Sequence, residues 1–288
     1  MKDKVLALDM GGTNLRAAII SEDLKIVRQI KDATISDNPP LLLKKAIEFA
    51  KEVSKEYLDE IRGIGVSICG VVKDNVIGKC GNLSISGNFP LYDALKKEFV
   101  GIDNIRIAND ANCSALFESR FGSNKDVKDS IFITISTGIG GGLVINNQMI
   151  DASFEVGRQI IEYDHEFYEA EHLLSGNGLV VLCVKNELYV KNAKEFFDLY
   201  RSGDNLAKRV YEKWIKRLSL FFSNLQLLFN VQRYSVSGGV MKSRDLFLND
   251  LEKISNASIS SFKLNPIKIV VPQFDQDIGV MGASSLVL

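Results

Sequence analysis

The stretch that most constrains this chain is its beginning. Val5-Leu6-Ala7-Leu8 is a short apolar run that stops at Gly11-Gly12 and resumes at once as Leu15–Ile20. An apolar run broken by adjacent glycines and then continued reads as strand, tight turn, strand. Glu22-Asp23 can turn the chain again, and Lys25–Ile30 supplies a third strand. In the first turn, Asp9-Met10-Gly11-Gly12-Thr13-Asn14, two glycines let backbone N–H groups approach an oxyanion without side-chain obstruction, and Thr13 adds a hydroxyl donor. Asp9, at the strand end, could hold a Mg²⁺-bound water near phosphates. The competing reading is a hairpin turn that happens to use glycine.

The same order recurs further on. Ser130–Ser136 is strand-like, Thr137-Gly138-Ile139-Gly140-Gly141-Gly142 interrupts it, and Leu143-Val144-Ile145 resumes. Asn146-Asn147 makes a tight turn into Gln148–Ile150. A strand, glycine turn, strand pattern in both halves points to an internal duplication and two similar domains. The second glycine loop has no Walker-type lysine, and Leu143 stands where the last glycine of GxGxxG belongs. A flexible structural loop is its alternative reading. Ser237-Gly238-Gly239-Val240 is a third glycine turn, after the strand Tyr234–Ser237 and before a helix expected from Ser243. Apolar residues at three and four predict helices over Leu41–Ile61 and Leu206–Phe229, while Ile64–Ile68, ending near Gly70, and Ile267–Val271 read as strands.

Composition agrees with two domains, since 288 residues is long for one core and the 46% apolar, 25% charged balance is that of a globular chain. Thirty-five basic residues against thirty-six acidic ones give a net charge of -1, which offers no electrostatic reason to expect nucleic acid or an anionic membrane as partner. The start lacks the apolar segment of a signal peptide, and the apolar runs are too short to span a bilayer. Cys69, Cys80, Cys113 and Cys183 show no paired spacing, so neither a zinc knuckle nor a disulfide framework is indicated and a reducing cytoplasm is expected.

Ile105-Arg106-Ile107-Ala108-Asn109-Asp110-Ala111-Asn112 runs from a strand into a helix-forming stretch. An aspartate there can accept a proton from a substrate hydroxyl, with Asn109 orienting that substrate. Equally, Asn and Asp are the preferred helix N-caps, and the segment alone leaves both roles open. Glu155, Arg158, Glu169 and Glu171 add charges in the same half, for which a solvated surface is the default.

Taken in order, LALDMGGTNLRAAI, GIGVSICGVV, IANDANCSALFE, TISTGIGGGLVINNQMI, FEVGR, EHLLSG, VSGGV and GVMGASSL resemble the ROK family of sugar kinases and related repressors over nearly the whole chain. The resemblance implies an α/β, two-domain actin-like ATPase (ribonuclease H-like) fold with a central cleft, a small domain over 1–108 plus 275–288 and a large one over 109–274. It implies ATP and Mg²⁺ as cofactors. Gly11, Gly12, Thr13 and Asn14 match the first phosphate loop, with Asp9 near the magnesium. Thr137 and Gly138 match the second phosphate loop, and Gly238 with Gly239 the adenosine turn. Asp110 matches the catalytic base, and Gly70, Asn109, Glu155 and Glu171 the sugar contacts. The expected activity is phosphorylation of a hexose 6-hydroxyl, glucose first and an N-acetylhexosamine such as N-acetylmannosamine second. A non-catalytic or repressor-type member is the alternative from another class. A homodimer is expected, without nucleic-acid or membrane partners.

Two departures stand out. The family's histidine, which touches sugar and binds a structural zinc, is Arg158 here, and QIIEYDHEFYEA replaces its cysteine cluster. No structural zinc is therefore expected, and Arg158 contacts sugar or pairs with Glu155 or Glu171.

Overall fold

A computed structural model describes residues 2–151, 154–272 and 277–288. The chain forms two compact units, one of 1–120, 148–153 and 276–288, the other of 121–147 and 154–275. The sequence boundary expected at 274/275 falls outside the described residues.

In the first unit, β1 (Lys4–Met10), β2 (Asn14–Ser21) and β3 (Ile26–Ala33) form the antiparallel meander read from the glycine turn. After helix α1 (Pro39–Ser54), the strand β4 (Ile61–Ile68) pairs parallel with β1. The helix is shorter than the expected Leu41–Ile61. Its apolar rhythm ran past the true end because Ile61 is already in the sheet, opposite Lys4. A hairpin of β5 (Val72–Lys73) and β6 (Val76–Ile77) follows, then helix α2 (Leu91–Glu98). The strand β7 (Ile105–Asn109) completes the sheet in the order β3-β2-β1-β4-β7. β1 and β4 are buried along most of their length because helices pack against these central strands.

Helix α3 (Asp110–Arg120) is buried from Ala111 through Ser119 and packs on the C-terminal helix Ile278–Ser285. A side chain at Gly282 would lie 2.9 Å from the Cys113 backbone, and Arg120 donates to the Ser285 carbonyl at 2.7 Å. Packing thus groups α3 with the first unit.

The second unit repeats the plan. β8 (Ser130–Ile135) is antiparallel to β9 (Ile139–Ile145) on one side and parallel to the strand Arg233–Ser237 on the other, which is parallel in turn to Ile269–Val270. Asn146 and Asn147 both hold positive φ, 52° and 61°, as the expected tight turn requires. The helix Asn205–Phe229 lies beneath, its Asp204 side chain accepting from Leu206 N and Ala207 N. Trp214, Leu218, Phe221, Phe222 and Leu225 line its buried face in a core with Phe196, Phe197, Phe247 and Tyr234.

Two local readings change. The glycine run after Thr137 is no extended loop, because Gly140, Gly141 and Gly142 pair within β9 against Thr134, Ile133 and Phe132. A side chain at Gly141 would come 2.7 Å from Val156, so glycine there serves close packing. After Gly238 the chain forms 3₁₀ turns over Gly239–Leu246, kinked at Ser243, and the α-helix starts only at Leu248. No described helix is long and apolar enough to cross a membrane.

Candidate active site

Asp9 stands at the end of β1, opposite Arg16 in β2. Its side chain is 18% exposed, its Oδ2 lies 3.9 Å from Arg16 Nε, and its Oδ1 accepts from Ser67 Oγ at 3.4 Å. Arg16 also lies 3.7 Å from Asp277 Oδ1. Burial pushes the Asp9 carboxyl up to about 6; Arg16 opposes the rise and the Asp110 carboxylate adds to it. The backbone of the C-terminal helix crowds the same carboxylate, and a side chain at Gly279 would fall 2.2 Å from Oδ2. The turn beyond is braced by its own backbone and by Thr34, the residue after β3. Gly11 N donates to Asn14 O at 3.0 Å, Thr34 Oγ1 to Gly11 O at 2.7 Å and Thr34 N to Thr13 O at 3.0 Å. Gly12 and Thr13 are exposed at its tip.

Of the Asn109-Asp110 pair, Asn109 is the residue that caps the helix. Asn109 Oδ1 accepts from Ala111 N at 2.9 Å and from Asn112 N at 3.4 Å, which is the helix cap. Its Nδ2 donates to the Gly70 carbonyl at 2.9 Å. Gly70 is held at φ 106° with Cys80 Cβ only 2.5 Å from where its own Cβ would be, so no other residue fits. Asp110 is the exposed first residue of the helix, one oxygen 2.9 Å from Ala111 N. Asp9, Asn109, Asp110 and Gly70 are thus gathered by the ends of three adjacent strands, β1, β4 and β7, where the sheet presents backbone and carboxylates together.

In the second unit the turn between β8 and β9 is Ser136-Thr137-Gly138, with Ser136 N donating to Gly138 O at 2.9 Å and Thr137 exposed. Glu171 reaches this turn: its Oε2 accepts from Ile139 N at 3.2 Å and fills the space a Gly138 side chain would take, at 2.7 Å. The Ser175-Gly176 pair locks the same turn, since Gly176 N donates to Ser136 O at 2.7 Å while Ser175 Oγ caps the following helix. Gly238 has φ 104° and its Cα sits over Ile135, whose carbonyl would be 2.3 Å from an added Cβ; Gly239 faces open space.

Arg158 does pair with Glu155, at 3.7 Å, but its stronger partner is Glu169, gripped through both oxygens at 3.0 and 2.9 Å. The sequence treated Glu169 as surface charge. It closes a β-hairpin, Ile160–Tyr163 with Glu166–Glu169, whose register sets it opposite Ile160. This hairpin occupies the stretch that the resemblance reserved for a cysteine cluster. Glu169, Glu171 and His172 bring three ligand atoms within 4.8 Å of one another, although Glu169 is committed to Arg158. Arg16, Ser67 and Glu169 are the neighbours that sequence reading missed. Arg16 alone carried a signal, lying seven residues after Asp9, opposite it across the turn.

Two sheets, each an antiparallel hairpin extended by parallel strands and each ending in a glycine turn beside carboxylates, define an actin-like ATPase fold. The ROK family profile matches residues 5–288, and the chain belongs to that family. It is 27% identical to a beta-glucoside kinase of Listeria innocua, over 97% of this chain and 96% of that one. It is 23% identical to a glucokinase of Thermotoga maritima, over 99% and 98%. Among solved structures, a ROK family glucokinase from Streptomyces griseus, in complex with glucose and AMPPNP, superposes with a TM-score of 0.76 at 23% identity, over 99% of each chain.

Proposed function

We propose that this protein is an ATP-dependent sugar kinase that transfers the γ-phosphoryl group to the 6-hydroxyl of a hexose, with glucose the leading substrate. The observation that carries the reading is the division of labour at the start of α3. Asn109 Oδ1 caps the helix through Ala111 N and Asn112 N, which leaves the role of base to the exposed Asp110 carboxylate at the strand–helix junction. The kinase names of the two sequence relatives and the glucose and AMPPNP of the Streptomyces griseus protein support the same class.

In this reading Asp110 accepts the proton of the sugar hydroxyl as its oxygen attacks the γ-phosphorus in line. Asn109 orients the sugar together with Gly70, Glu155 and Glu171. Gly11, Gly12, Thr13 and Asn14 take phosphate oxygens, as do Thr137 and Gly138, and Gly238 with Gly239 lies against the adenosine. The donor set fits magnesium. Asp9 is a hard oxygen ligand whose carboxyl is pushed up chiefly by burial, despite Arg16, so that a dication beside it would favour its charged form. Asp9 would hold the ion through water, and when bound the ion neutralises charge on the phosphates.

Relatives named glucokinase, beta-glucoside kinase and N-acetylmannosamine kinase leave glucose, beta-glucosides and N-acetylhexosamines as competing acceptors, with N-acetylmannosamine the runner-up. A panel of these sugars in a coupled ADP-release assay decides among them. ADP release with glucose at the highest kcat/KM is the expected result. Release with none of them, despite sugar binding by calorimetry, would overturn the kinase in favour of a non-catalytic sugar binder.

A further inference from the structure

The β5–β6 hairpin carries a pair of cysteines that the sugar-kinase reading does not use. Its tip, Asp74-Asn75, holds positive φ at both residues, 51° and 65°, the geometry of a tight two-residue turn. Below the pair Val72↔Ile77, Val71 N donates to Lys79 O at 3.1 Å and Gly78 N to Val71 O at 2.8 Å. Two residues therefore face one, a bulge that sets Gly70 against Cys80. The outcome is that Cys69 Sγ and Cys80 Sγ lie 3.2 Å apart, in the interior, at the open end of the hairpin.

We infer that Cys69 and Cys80 are an oxidative modification site, closing to a disulfide that tightens the hairpin base and disturbs the seat of Asn109. The two sulfurs need approach by only about 1.2 Å to reach the disulfide bond length. Nothing between them has to be displaced except a proton. The hairpin is tied to the candidate active site at three points. Cys69 N donates to Met10 O at 3.3 Å, next to Asp9; Gly70 O accepts from Asn109 Nδ2 at 2.9 Å; and Asn75 Oδ1 accepts from Ile107 N at 2.7 Å. Gly70 has no slack, because Cys80 Cβ already occupies the place of its missing side chain. Drawing the two sulfurs together shifts the Gly70 carbonyl and weakens its hydrogen bond to Asn109.

Hydrogen peroxide suits the buried setting, being little larger than water. The Cys80 thiolate is the favoured nucleophile: Cys69 hydrogen-bonds to it and the backbone N–H groups of Asn82 and Leu83 favour its charge, holding its pKa below the usual thiol value. Its sulfur attacks one peroxide oxygen, the O–O bond breaks, and the departing hydroxide takes a proton to leave as water. The Cys69 sulfur then attacks the Cys80 sulfenic acid. The S–S bond forms, the S–O bond breaks, and the hydroxyl leaves as a second water with the Cys69 proton. Two thiols and one peroxide give one disulfide and two waters.

The test oxidises reduced full-length protein with hydrogen peroxide, blocks free thiols with iodoacetamide in denaturant, and maps peptides by mass spectrometry. Two of the four thiols disappear, the Cys69 and Cys80 peptides are linked, and dithiothreitol restores both. Linkage through Cys113 or Cys183, or sulfinic acid at Cys69 or Cys80 without linkage, overturns the site. Coupling to Asn109 is read by hydrogen exchange: amides of Ala111 and Asn112 lose protection on oxidation in wild type but not in Cys80→Ser. Unchanged protection overturns the coupling, whatever the enzyme's substrate. Where the kinase reading also holds, oxidation raises the sugar KM about fivefold, what one neutral hydrogen bond contributes. Cys80→Ser and Cys69→Ser keep the reduced protein's KM and show no peroxide response. A reduced protein inactive on every sugar counts against the proposed function, while the thiol map and exchange data still decide this site.

Discussion

Asp9, at the end of β1, and Asp110, which opens α3 just after β7, carry opposite burdens. Asp110 is exposed and Asn109 caps its helix, so Asp110→Asn removes a base without removing a cap. Turnover is expected to fall about 10²–10⁴-fold while the melting temperature stays within a degree or two of wild type, because loss of a general base has that size and asparagine keeps an oxygen that can accept from Ala111 N. Steady-state kinetics beside a thermal melt checks both, and retained activity would remove Asp110 from catalysis. Asp9 is largely but not fully buried, and its carboxyl is raised to about 6. A folded-state pKa above the unfolded value means that stability from the protonated form is fully present below about pH 4 and is lost as pH rises through about 6. Asp9→Asn keeps the Ser67 contact and cannot ionise. It should therefore match wild type near pH 4 and exceed it at pH 7.5, by up to about 2–3 kcal/mol less the screening that its 18% exposure allows. Denaturant titrations at the two pH values measure this. A wild type more stable than the variant at pH 7.5 would mean that Arg16 outweighs burial.

At the level of elements, the glycine turns separate into those the fold needs and those it leaves free. Gly238→Ala forces a side chain to positive φ and to within 2.3 Å of the Ile135 carbonyl, where the strand cannot give. Strain and overpacking each cost about 1–3 kcal/mol, so this variant should lose several degrees of melting temperature or fail to accumulate. Gly239→Ala meets nothing within 4 Å and should fold normally. If the turn lies against adenosine, Gly239→Ala raises the KM for ATP and leaves the KM for sugar unchanged; no rise in either would remove Gly239 from the nucleotide site. The sequence made much of this legible, and its failures have causes. Both meanders and the strand into Asn109-Asp110 were readable because glycine and alternation act locally. The Gly140–Gly142 run misled because the run pairs within β9 and Gly141 answers to Val156, a partner fifteen residues away that no local pattern reveals. Ile61 kept helical spacing although its place is set by pairing with Lys4. Cys69 and Cys80 showed no paired spacing, since only the bulge in their hairpin brings the sulfurs together. Glu169 looked like surface charge because an ion pair between side chains has no signature beyond its two residue types.

Across the whole molecule, metal content follows from where the ligands are. Cys69, Cys80 and Cys113 lie in the first unit and Cys183 in the second, so no two cysteines in the second unit can share a metal. Burial pushes the Cys183 thiol up to about 12 and the Cys113 thiol well above its usual value, which disfavours the thiolate that zinc requires. Among the described residues the cluster Glu169, Glu171 and His172 offers three ligand atoms, one short of a closed tetrahedral site. One of its carboxylates is already engaged by both oxygens with Arg158, and another accepts from the backbone at Ile139. The Arg158–Glu169 pair thus fastens the hairpin Ile160–Glu169 by charge rather than by metal. That fastening is modest, because an ion pair with a 59% exposed arginine contributes about 1 kcal/mol or less. Elemental analysis of purified protein should therefore find zinc well below one per chain, and a chelator should leave the melting temperature unmoved. Arg158→Ala should lower it by no more than a few degrees, in a salt-dependent way. Stoichiometric zinc, released by chelator together with a fall in melting temperature that Arg158→Ala does not reproduce, would show that a metal and not the arginine holds this part of the fold.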